Sequence, residues 1–245
     1  MLLTIILLSN KNDIKLFSII KKFNRNSPNC KLLISDSRGP RDKVDNLIKS
    51  NAKIKIIYNQ NLGIYPSLNF ALKMIVTEYY LVLGLDDKLN YKVFERFLKF
   101  IELNDSDLLF AGVIKSGKKL KYLNTNKKNI LFGPSGTFPS HTGGVAIRRN
   151  LHDKYGNYSL EYKVISDLEF ISKCLIGNCK HILFKDFLCD IGGKGFSKIY
   201  ENLAEYESMI IRNNFGLPKV ISLLIYLFKE NKRILKKLIF KFLYF

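Results

Sequence analysis

The chain has 245 residues, of which 47% are hydrophobic, so it is long enough to bury the core of one α/β domain. Its formal net charge of +19 predicts attraction to polyanions, namely nucleic acids, anionic membranes or phosphorylated substrates. No stretch approaches the eighteen consecutive apolar residues of a membrane span, and the apolar N-terminus lacks the basic start of a signal peptide.

The four cysteines do not show the paired spacing of a zinc site. Cys174 and Cys179 flank a short turn but have no second pair of ligands nearby in the sequence. We therefore expect no zinc site. Thiols without such partners fit a reducing compartment, which predicts a cytoplasmic protein.

Short apolar runs alternate with helical patterns along the first ninety residues. The runs predict strands at residues 2–8, 31–35, 54–58 and 79–83. The helices between them are predicted at residues 14–23, 43–49 and 68–73. Three and a half rounds of this alternation predict an α/β fold with a doubly wound, mainly parallel sheet flanked by helices.

Polar residues follow each of these predicted strands. They are Asn10, Asp36, Asn61 and the adjacent acids Asp86 and Asp87. Because right-handed crossovers bring the ends of parallel strands to one edge, we expect these residues on one rim. Two neighbouring carboxylates repel unless a cation lies beside them, and a divalent metal chelated by a diphosphate would serve. The alternative is that the acid pair is a solvated turn that caps the next helix.

The following segment, to residue 208, predicts further elements of the same domain. A helix is predicted at residues 91–103 and a strand at 107–113, and residues 115–132 are basic and irregular. A polar turn then leads into a short strand, and a helix opens at Ser166 with Asp167 and Glu169 in its first turn. Acids there favour the helix dipole, so ordinary capping is the alternative interpretation of Asp167.

Beyond residue 208 the composition changes, and we expect a domain at residues 1–208 followed by a tail at 209–245. Residues 220–245 mix Leu, Ile, Phe and Tyr with basic side chains, and Glu230 is the only acid among them. This pattern predicts one or two basic amphipathic helices that lie in an anionic membrane interface. The alternative is a helix that packs on the domain or on a dimer partner.

The order of these motifs resembles the family-2 glycosyltransferases with the GT-A fold, over roughly residues 2–200. Seven segments carry the resemblance: Leu8-Ser9-Asn10, Asp36-Ser37-Arg38-Gly39, Gly63-Ile64-Tyr65-Pro66-Ser67-Leu68-Asn69, Gly84-Leu85-Asp86-Asp87, His141-Thr142-Gly143-Gly144 with Arg148-Arg149, Ser166-Asp167-Leu168-Glu169-Phe170 and Gly192-Gly193-Lys194-Gly195-Phe196-Ser197. No single segment is specific, but seven in this order and spacing are.

The resemblance implies a donor half at about 1–113, an acceptor half at about 114–208, and roles for individual residues. Asp167 is expected to be the catalytic base. Asp87 is expected to bind Mg²⁺ or Mn²⁺, with Asp86 sharing the metal or contacting the ribose. The other expected nucleotide-sugar contacts are Ser9, Asn10, Asp36, Asn61, Gly63, Tyr65, Asn69 and Lys194. Lys194 and Arg148 are expected to add positive charge near the leaving group, and the alternative for either is a solvated surface cation. The expected acceptor-side residues are His141, Thr142 and Glu169.

The expected function is inverting transfer of a sugar from a nucleotide-diphospho-sugar to a saccharide or lipid-linked acceptor. It would serve bacterial surface polysaccharide or glycolipid synthesis at the inner face of the cell membrane, with residues 218–245 on the anionic surface. One alternative is a sugar nucleotidyltransferase, which normally has a glycine-rich basic loop where this chain has Ser9-Asn10-Lys11-Asn12. The other is a nucleic-acid-binding module, although the basic residues concentrate in a tail rich in aliphatic residues, which favours a membrane.

Overall fold

The computed structural model describes residues 1–9, 13–26, 28–40, 42–49, 51–59, 62–120, 142–192 and 196–243. The predicted alternation of strands and helices is present in the first part of the chain. Its elements are β1 Leu3–Ser9, α1 Asp13–Asn26, β2 Lys31–Asp36, α2 Asp42–Ile48, β3 Ile54–Tyr58, α3 Ile64–Leu72 and β4 Tyr79–Gly84. Helix α3 begins four residues earlier than predicted, since Pro66 lies in its first turn, where the missing N–H is tolerated.

The second part of the chain adds shorter and more varied elements. They are β5 Lys88–Leu89, α4 Tyr91–Leu103, β6 Leu108–Lys115, β7 Lys118–Leu120, a 3₁₀ turn at Thr142–Gly144, β8 Val145–Arg148, α5 Leu151–Tyr155, α6 Ser166–Ile176, β9 His181–Ile191, α7 Phe196–Ile199, α8 Glu201–Asn214 and α9 Lys219–Leu243. Strand β9 was not predicted, because Lys185 and Asp186 interrupt its apolar residues.

The described strands form one sheet in the order β3-β2-β1-β4-β8-β6-β9-β5, with β7 beside β6. The first four strands are parallel, whereas β8 is antiparallel to both β4 and β6. In this register Ser9 pairs with Asp36, and Leu8 pairs with Gly84. The carboxyl ends of β1, β2 and β4 therefore meet at one edge, as predicted, and we call this edge the rim.

Helices cover both faces of the sheet, which is the arrangement that a mainly parallel sheet requires. One face packs against α1, α2 and α4, through buried residues such as Phe23, Val44 and Phe97. The other face packs against α3, α6 and α8, through residues such as Leu68 and Phe170. The predicted α/β class is confirmed.

Helix α8 belongs to the core of the domain. Its residue Ile211 is fully buried in the same apolar cluster as α3 and α6. The predicted boundary after residue 208 therefore falls inside a packed helix. The tail proper is the single helix α9, which follows the turn at Leu217-Pro218.

All four cysteines are free and buried. Burial raises the pKa of the Cys30 and Cys179 thiols to about 12, and it raises the pKa values of Cys174 and Cys189 as well. A thiol with so high a pKa stays protonated near neutral pH, and the thiolate is the reactive form.

A polar network lies within the apolar layer between β4 and α6. The Tyr80 hydroxyl is 2.7 Å from the Tyr158 hydroxyl and 2.6 Å from His152 Nε2, while His152 Nδ1 is 3.0 Å from the Gly156 carbonyl oxygen. A neutral imidazole satisfies both contacts if Nδ1–H donates to Gly156 and Nε2 accepts from Tyr80. The ring also stacks on Phe170, with 4.1 Å between ring centroids. Burial lowers the pKa of His152 to about 4.

This network predicts a loss of stability in mild acid. Unfolded chains protonate His152 near pH 6.5, whereas the folded protein does so only near pH 4, so folding becomes less favourable as the pH falls between these values. We expect up to about 3 kcal/mol of unfolding free energy to be lost through this residue. Urea unfolding of the wild type and of His152→Gln at about pH 7 and about pH 4.5 measures it.

Because carboxylates titrate in the same range, the informative quantity is the stability difference between the wild type and the variant. That difference should shrink as the pH falls. A difference that is equal at both pH values would show that His152 is not buried in its neutral form.

Candidate active site

The end of β2 forms a closed polar cluster with the end of β1. The Asp36 carboxylate is fully buried and accepts hydrogen bonds from the Ser9 hydroxyl at 2.8 Å and from the Arg38 N–H at 2.9 Å. The Arg38 guanidinium lies 3.0 Å from the same carboxylate and is 23% exposed. A ligand that reaches this part of the rim would therefore meet the cation of Arg38 before the carboxylate of Asp36.

The acid pair lies at the end of β4, and its two members have different surroundings. Asp87 accepts backbone N–H groups from Gly84 at 2.8 Å and from Gly192 at 3.3 Å. Asp86 is exposed and forms an ion pair with Lys15 of α1. A Cβ atom on Gly192 would lie 2.3 Å from the Cβ of Asp86, so only glycine fits there. The segment after β9 therefore packs directly on the acid pair.

A depression of about 400 Å³ opens beside Asp86. Its charged lining consists of Lys15, Asp86, Lys88 and Asp190. Two cations and two carboxylates thus surround a space at the rim that is large enough for part of a small ligand.

The acid pair fits a hard divalent cation whose remaining coordination positions would be filled by water and the substrate. Among the described residues, no group of three His, Cys, Asp or Glu side chains could form a metal site built by the protein alone. Mg²⁺ and similar ions instead often bind through one or two carboxylates and take their other ligands from water and substrate phosphates. The carboxylate oxygens of Asp86 and Asp87 match that donor set.

Asp167 is oriented by a tyrosine from the first half of the chain. The Tyr65 hydroxyl lies 2.8 Å from Asp167 Oδ1 and 2.7 Å from the Val164 carbonyl oxygen. Burial and the nearby Asp167 carboxylate raise the pKa of Tyr65, so its hydroxyl keeps the proton that it donates. Tyr65 is the second residue of α3, whose N-terminus lies at the carboxyl end of β3. Asp167 therefore lies on the rim side of the sheet.

Two other residues expected to contact the nucleotide-sugar have structural roles. The side-chain amide of Asn69 donates to the Tyr158 carbonyl oxygen at 2.8 Å and accepts the Tyr158 N–H at 3.0 Å. Gly63 precedes α3 with φ of 85°, a conformation that favours glycine. Asn69 thus holds the backbone at Tyr158, which precedes Asp167 in the chain, and Gly63 allows the turn into α3, the helix that carries Tyr65.

The expected acceptor-side residues are placed as follows. Glu169 is buried and pairs with Lys173 at 2.5 Å, and burial raises its pKa. Thr142 begins the 3₁₀ turn, which packs against β4 and β9 near the rim. His141 lies outside the described residues, as do the expected nucleotide-sugar contacts Asn10, Asn61 and Lys194.

Arg148 corrects one expectation from the sequence. It forms ion pairs with Asp105 and with Glu78 at 3.1 Å, and its guanidinium contacts the Tyr79 hydroxyl. Tyr79 is the first residue of β4, about 17 Å along the strand from Gly84. Arg148 therefore lies at the edge opposite the rim and cannot act near a leaving group at Asp86 and Asp87. The reason is the antiparallel direction of β8, which brings its last residue to the start of β4.

Two polar contacts at the site have no distinguishing signal in the sequence. One is Lys15, which pairs with Asp86 from a helix whose other cations gave it no distinguishing signal. The other is Glu207 of α8, whose carboxylate accepts the backbone N–H groups of Lys163, Val164 and Ile165 at 2.7, 3.0 and 3.1 Å. No sequence pattern links Glu207 to a segment more than forty residues away.

The family model described as glycosyl transferase family 2 matches residues 16–166, more than half of the chain. The comparison with curated protein sequences found no match.

Solved structures share the fold at low sequence identity. S. aureus TarS 1-349 aligns with a TM-score of 0.61 and 14% identity, over 92% of this chain and 69% of that one. The mannosyltransferase PcManGT from Pyrobaculum calidifontis, in complex with GDP-Man and Mn²⁺, aligns with a TM-score of 0.60 and 13% identity, over 91% of this chain and 67% of that one. The chain spans 42% of the longer S. aureus TarS structure.

The contacts of Asn69 predict that its removal affects stability more than nucleotide binding. Asn69→Ala leaves the N–H and carbonyl of the buried Tyr158 without their partner, and we expect about 2–4 kcal/mol less unfolding free energy. Urea unfolding measures this loss, and calorimetry with UDP and GDP measures nucleotide affinity. Unchanged stability together with weaker nucleotide binding would make Asn69 a ligand contact instead.

Proposed function

The chain belongs to glycosyl transferase family 2, and from that premise we propose that it transfers a sugar from a nucleotide-diphospho-sugar to an acceptor hydroxyl with inversion at the anomeric carbon. Membership of the family and the GT-A fold agree with the sequence-based prediction. The observation that carries the proposed chemistry is the contact between Tyr65 and Asp167, which orients one carboxylate on the rim side of the sheet.

Asp167 is the proposed general base. Its carboxylate takes the proton of the acceptor hydroxyl while the acceptor oxygen forms a bond to the anomeric carbon. The bond from that carbon to the diphosphate oxygen breaks on the opposite side, so a single displacement inverts the centre. The products are the glycoside and the nucleoside diphosphate, with the proton on Asp167. Tyr65 fixes the direction of the carboxylate because its hydroxyl donates to Oδ1.

The leaving diphosphate needs positive charge, and the rim supplies part of it. Lys15 and Lys88 line the depression beside Asp86. Asp87 and Asp86 would bind Mg²⁺ or Mn²⁺, which when bound supplies further positive charge at the diphosphate. The proposed donor is a nucleoside-diphosphate sugar without commitment to a base, since S. aureus TarS is described in complex with UDP-GlcNAc and PcManGT in complex with GDP-Man. The nucleobase of the donor would meet the guanidinium of Arg38 before any other protein cation.

We further propose that α9 attaches the protein to the inner face of an anionic membrane, where a lipid-linked saccharide would be the acceptor. The helix exposes one apolar stripe formed by Val220, Leu223, Leu224, Leu227, Phe228, Ile234 and Leu235. Its other side faces α8, with Ser222 fully buried, Tyr226 against Tyr206 and Lys229 paired with Glu205. Such a distribution suits a helix whose outer face lies in lipid. Synthesis of a surface polysaccharide or glycolipid would use an acceptor of this kind.

None of the described helices is long and apolar enough to cross a membrane.

Two substitutions should separate donor binding from transfer. Asp87→Asn removes a proposed metal ligand and should abolish the Mn²⁺-dependent part of nucleotide-sugar binding. Asp167→Asn should keep that binding but lower the transfer rate by about 10²–10⁴, the usual contribution of a positioned base. Calorimetry with UDP-GlcNAc and GDP-mannose, with and without Mn²⁺, identifies the donor that binds. The rate of sugar transfer is then measured with that donor and with a membrane extract as the source of acceptor.

Each variant has a matched control. Asp190→Asn removes a carboxylate that lines the depression beside Asp86, and Glu169→Gln removes one from the same helical turn as Asp167. Both controls should have milder effects. Normal Mn²⁺-dependent binding by Asp87→Asn would end the metal assignment, and near-normal transfer by Asp167→Asn would end the assignment of the base.

The apolar stripe predicts that vesicle binding depends on particular residues of α9. Leu224→Glu combined with Phe228→Glu places two charges on the stripe and should weaken binding to phosphatidylglycerol vesicles at least tenfold, because about 1.5–3 kcal/mol of burial is lost for each side chain. Co-sedimentation with vesicles measures this. The control combines Val76→Glu with Leu103→Glu, which adds the same charge at exposed apolar positions outside α9.

Equal vesicle binding by both double variants would contradict membrane attachment through the stripe. If the stripe variant instead changed only the mass of the protein in solution, the occupant of the stripe would be a second copy of the chain.

A further inference from the structure

Three consecutive backbone N–H groups just before α6 point to one carboxylate. Those of Lys163, Val164 and Ile165 lie 2.7, 3.0 and 3.1 Å from the two oxygens of Glu207. Glu207 is only 4% exposed. The first N–H groups of a helix and those just before it have no partner within the helix, and an anion at this end is also favoured by the helix dipole. Glu207 therefore fixes the start of α6.

The start of α6 determines where Asp167 lies, because Asp167 is two residues beyond Ile165. Helix α3 also contacts the preceding segment, where Tyr65 contacts the Val164 carbonyl oxygen and Asn69 contacts Tyr158. Helix α3 thus contacts the segment from one side and Glu207 satisfies its N–H groups from α8. A carboxylate is well suited to this role, since both of its oxygens only accept hydrogen bonds.

We propose that Glu207 is a positioning residue for the transfer reaction, acting through the backbone of residues 163–165 to orient Asp167. This inference rests on the proposed function for its kinetic consequence. Glu207 does not contact substrate in this assignment. Its contribution is to keep the base within the narrow range of positions from which it can accept the proton of the acceptor hydroxyl.

A substitution that keeps the size of the side chain isolates this role. Glu207→Gln replaces one accepting oxygen by an NH₂ group, which would face backbone N–H donors and cannot bond to them. The segment should shift, and a displacement of about 1 Å at a reacting group can lower a rate about 10²-fold. We therefore expect kcat for transfer to fall about 10- to 100-fold. The KM for the donor should stay the same, because the proposed donor contacts lie on α1 and β5 and just after β2 and β4, all outside residues 163–165.

Hydrogen exchange and kinetics test the proposal together. In the 245-residue chain, Glu207→Gln should speed amide exchange in residues 159–170, whereas the control Glu201→Gln, which replaces an exposed carboxylate at the start of the same helix, should not. Kinetics use whichever of UDP-GlcNAc and GDP-mannose the wild type turns over. Glu207→Asp, which keeps an acceptor-only side chain, should recover part of the exchange protection and of kcat, and it replaces Glu207→Gln if that variant does not fold.

The outcomes separate this inference from the proposed function. Faster exchange with a lower kcat and an unchanged donor KM supports the positioning role. If Glu207→Gln has the same amide exchange rates and the same kcat as Glu201→Gln, the positioning role is overturned. A fall in donor affinity with normal kcat also overturns it. If the wild type turns over no nucleotide-sugar, the proposed function fails, and the exchange measurement alone still supports or overturns the ordering of residues 163–165 by Glu207.

Discussion

The segment before α6 must satisfy its backbone polar groups without a strand or helix of its own. Buried N–H and carbonyl groups without partners cost free energy, so side chains from elsewhere in the chain have to supply them. Asn69 does so at Tyr158, and Glu207 does so at residues 163–165. The position of Asp167 depends on these contacts, and the contact from Glu207 also joins the segment to α8, the helix that precedes the tail.

Local patterns in the sequence predict the parallel half of the sheet and one part of the site. Strands β1, β2 and β4 are short apolar runs buried on both faces, and β3 is an apolar run with Lys55 exposed, so each can be recognised from a short window of the sequence. The rule that parallel strands end at one edge then brings Asp36 together with the acid pair. The order of the elements is enough to predict where these residues lie, because each closely follows its own strand.

The remaining features depend on contacts between distant parts of the chain. Arg148 was assigned to the wrong edge because the direction of β8 relative to β4 cannot be read from its four residues. Asn69 lies in a segment that resembles a nucleotide-binding motif, yet its contacts are with backbone 89 residues away. Gly192 packs on the acid pair only because β9 pairs with β5, a strand of two residues that no periodicity reveals.

The burial of the four cysteines has a practical consequence for spectroscopy. Alkylating reagents attack thiolates, and Cys30, Cys174, Cys179 and Cys189 are both inaccessible and held protonated by burial. The natural protein is thus a nearly silent background for maleimide dyes and spin labels under native conditions. A single cysteine introduced at an exposed position of α9 would carry the only readily labelled thiol among the cysteines of the chain. The fluorescence of a dye or the electron paramagnetic resonance spectrum of a spin label at that cysteine could then report the depth of the helix in a bilayer. No native cysteine would have to be removed.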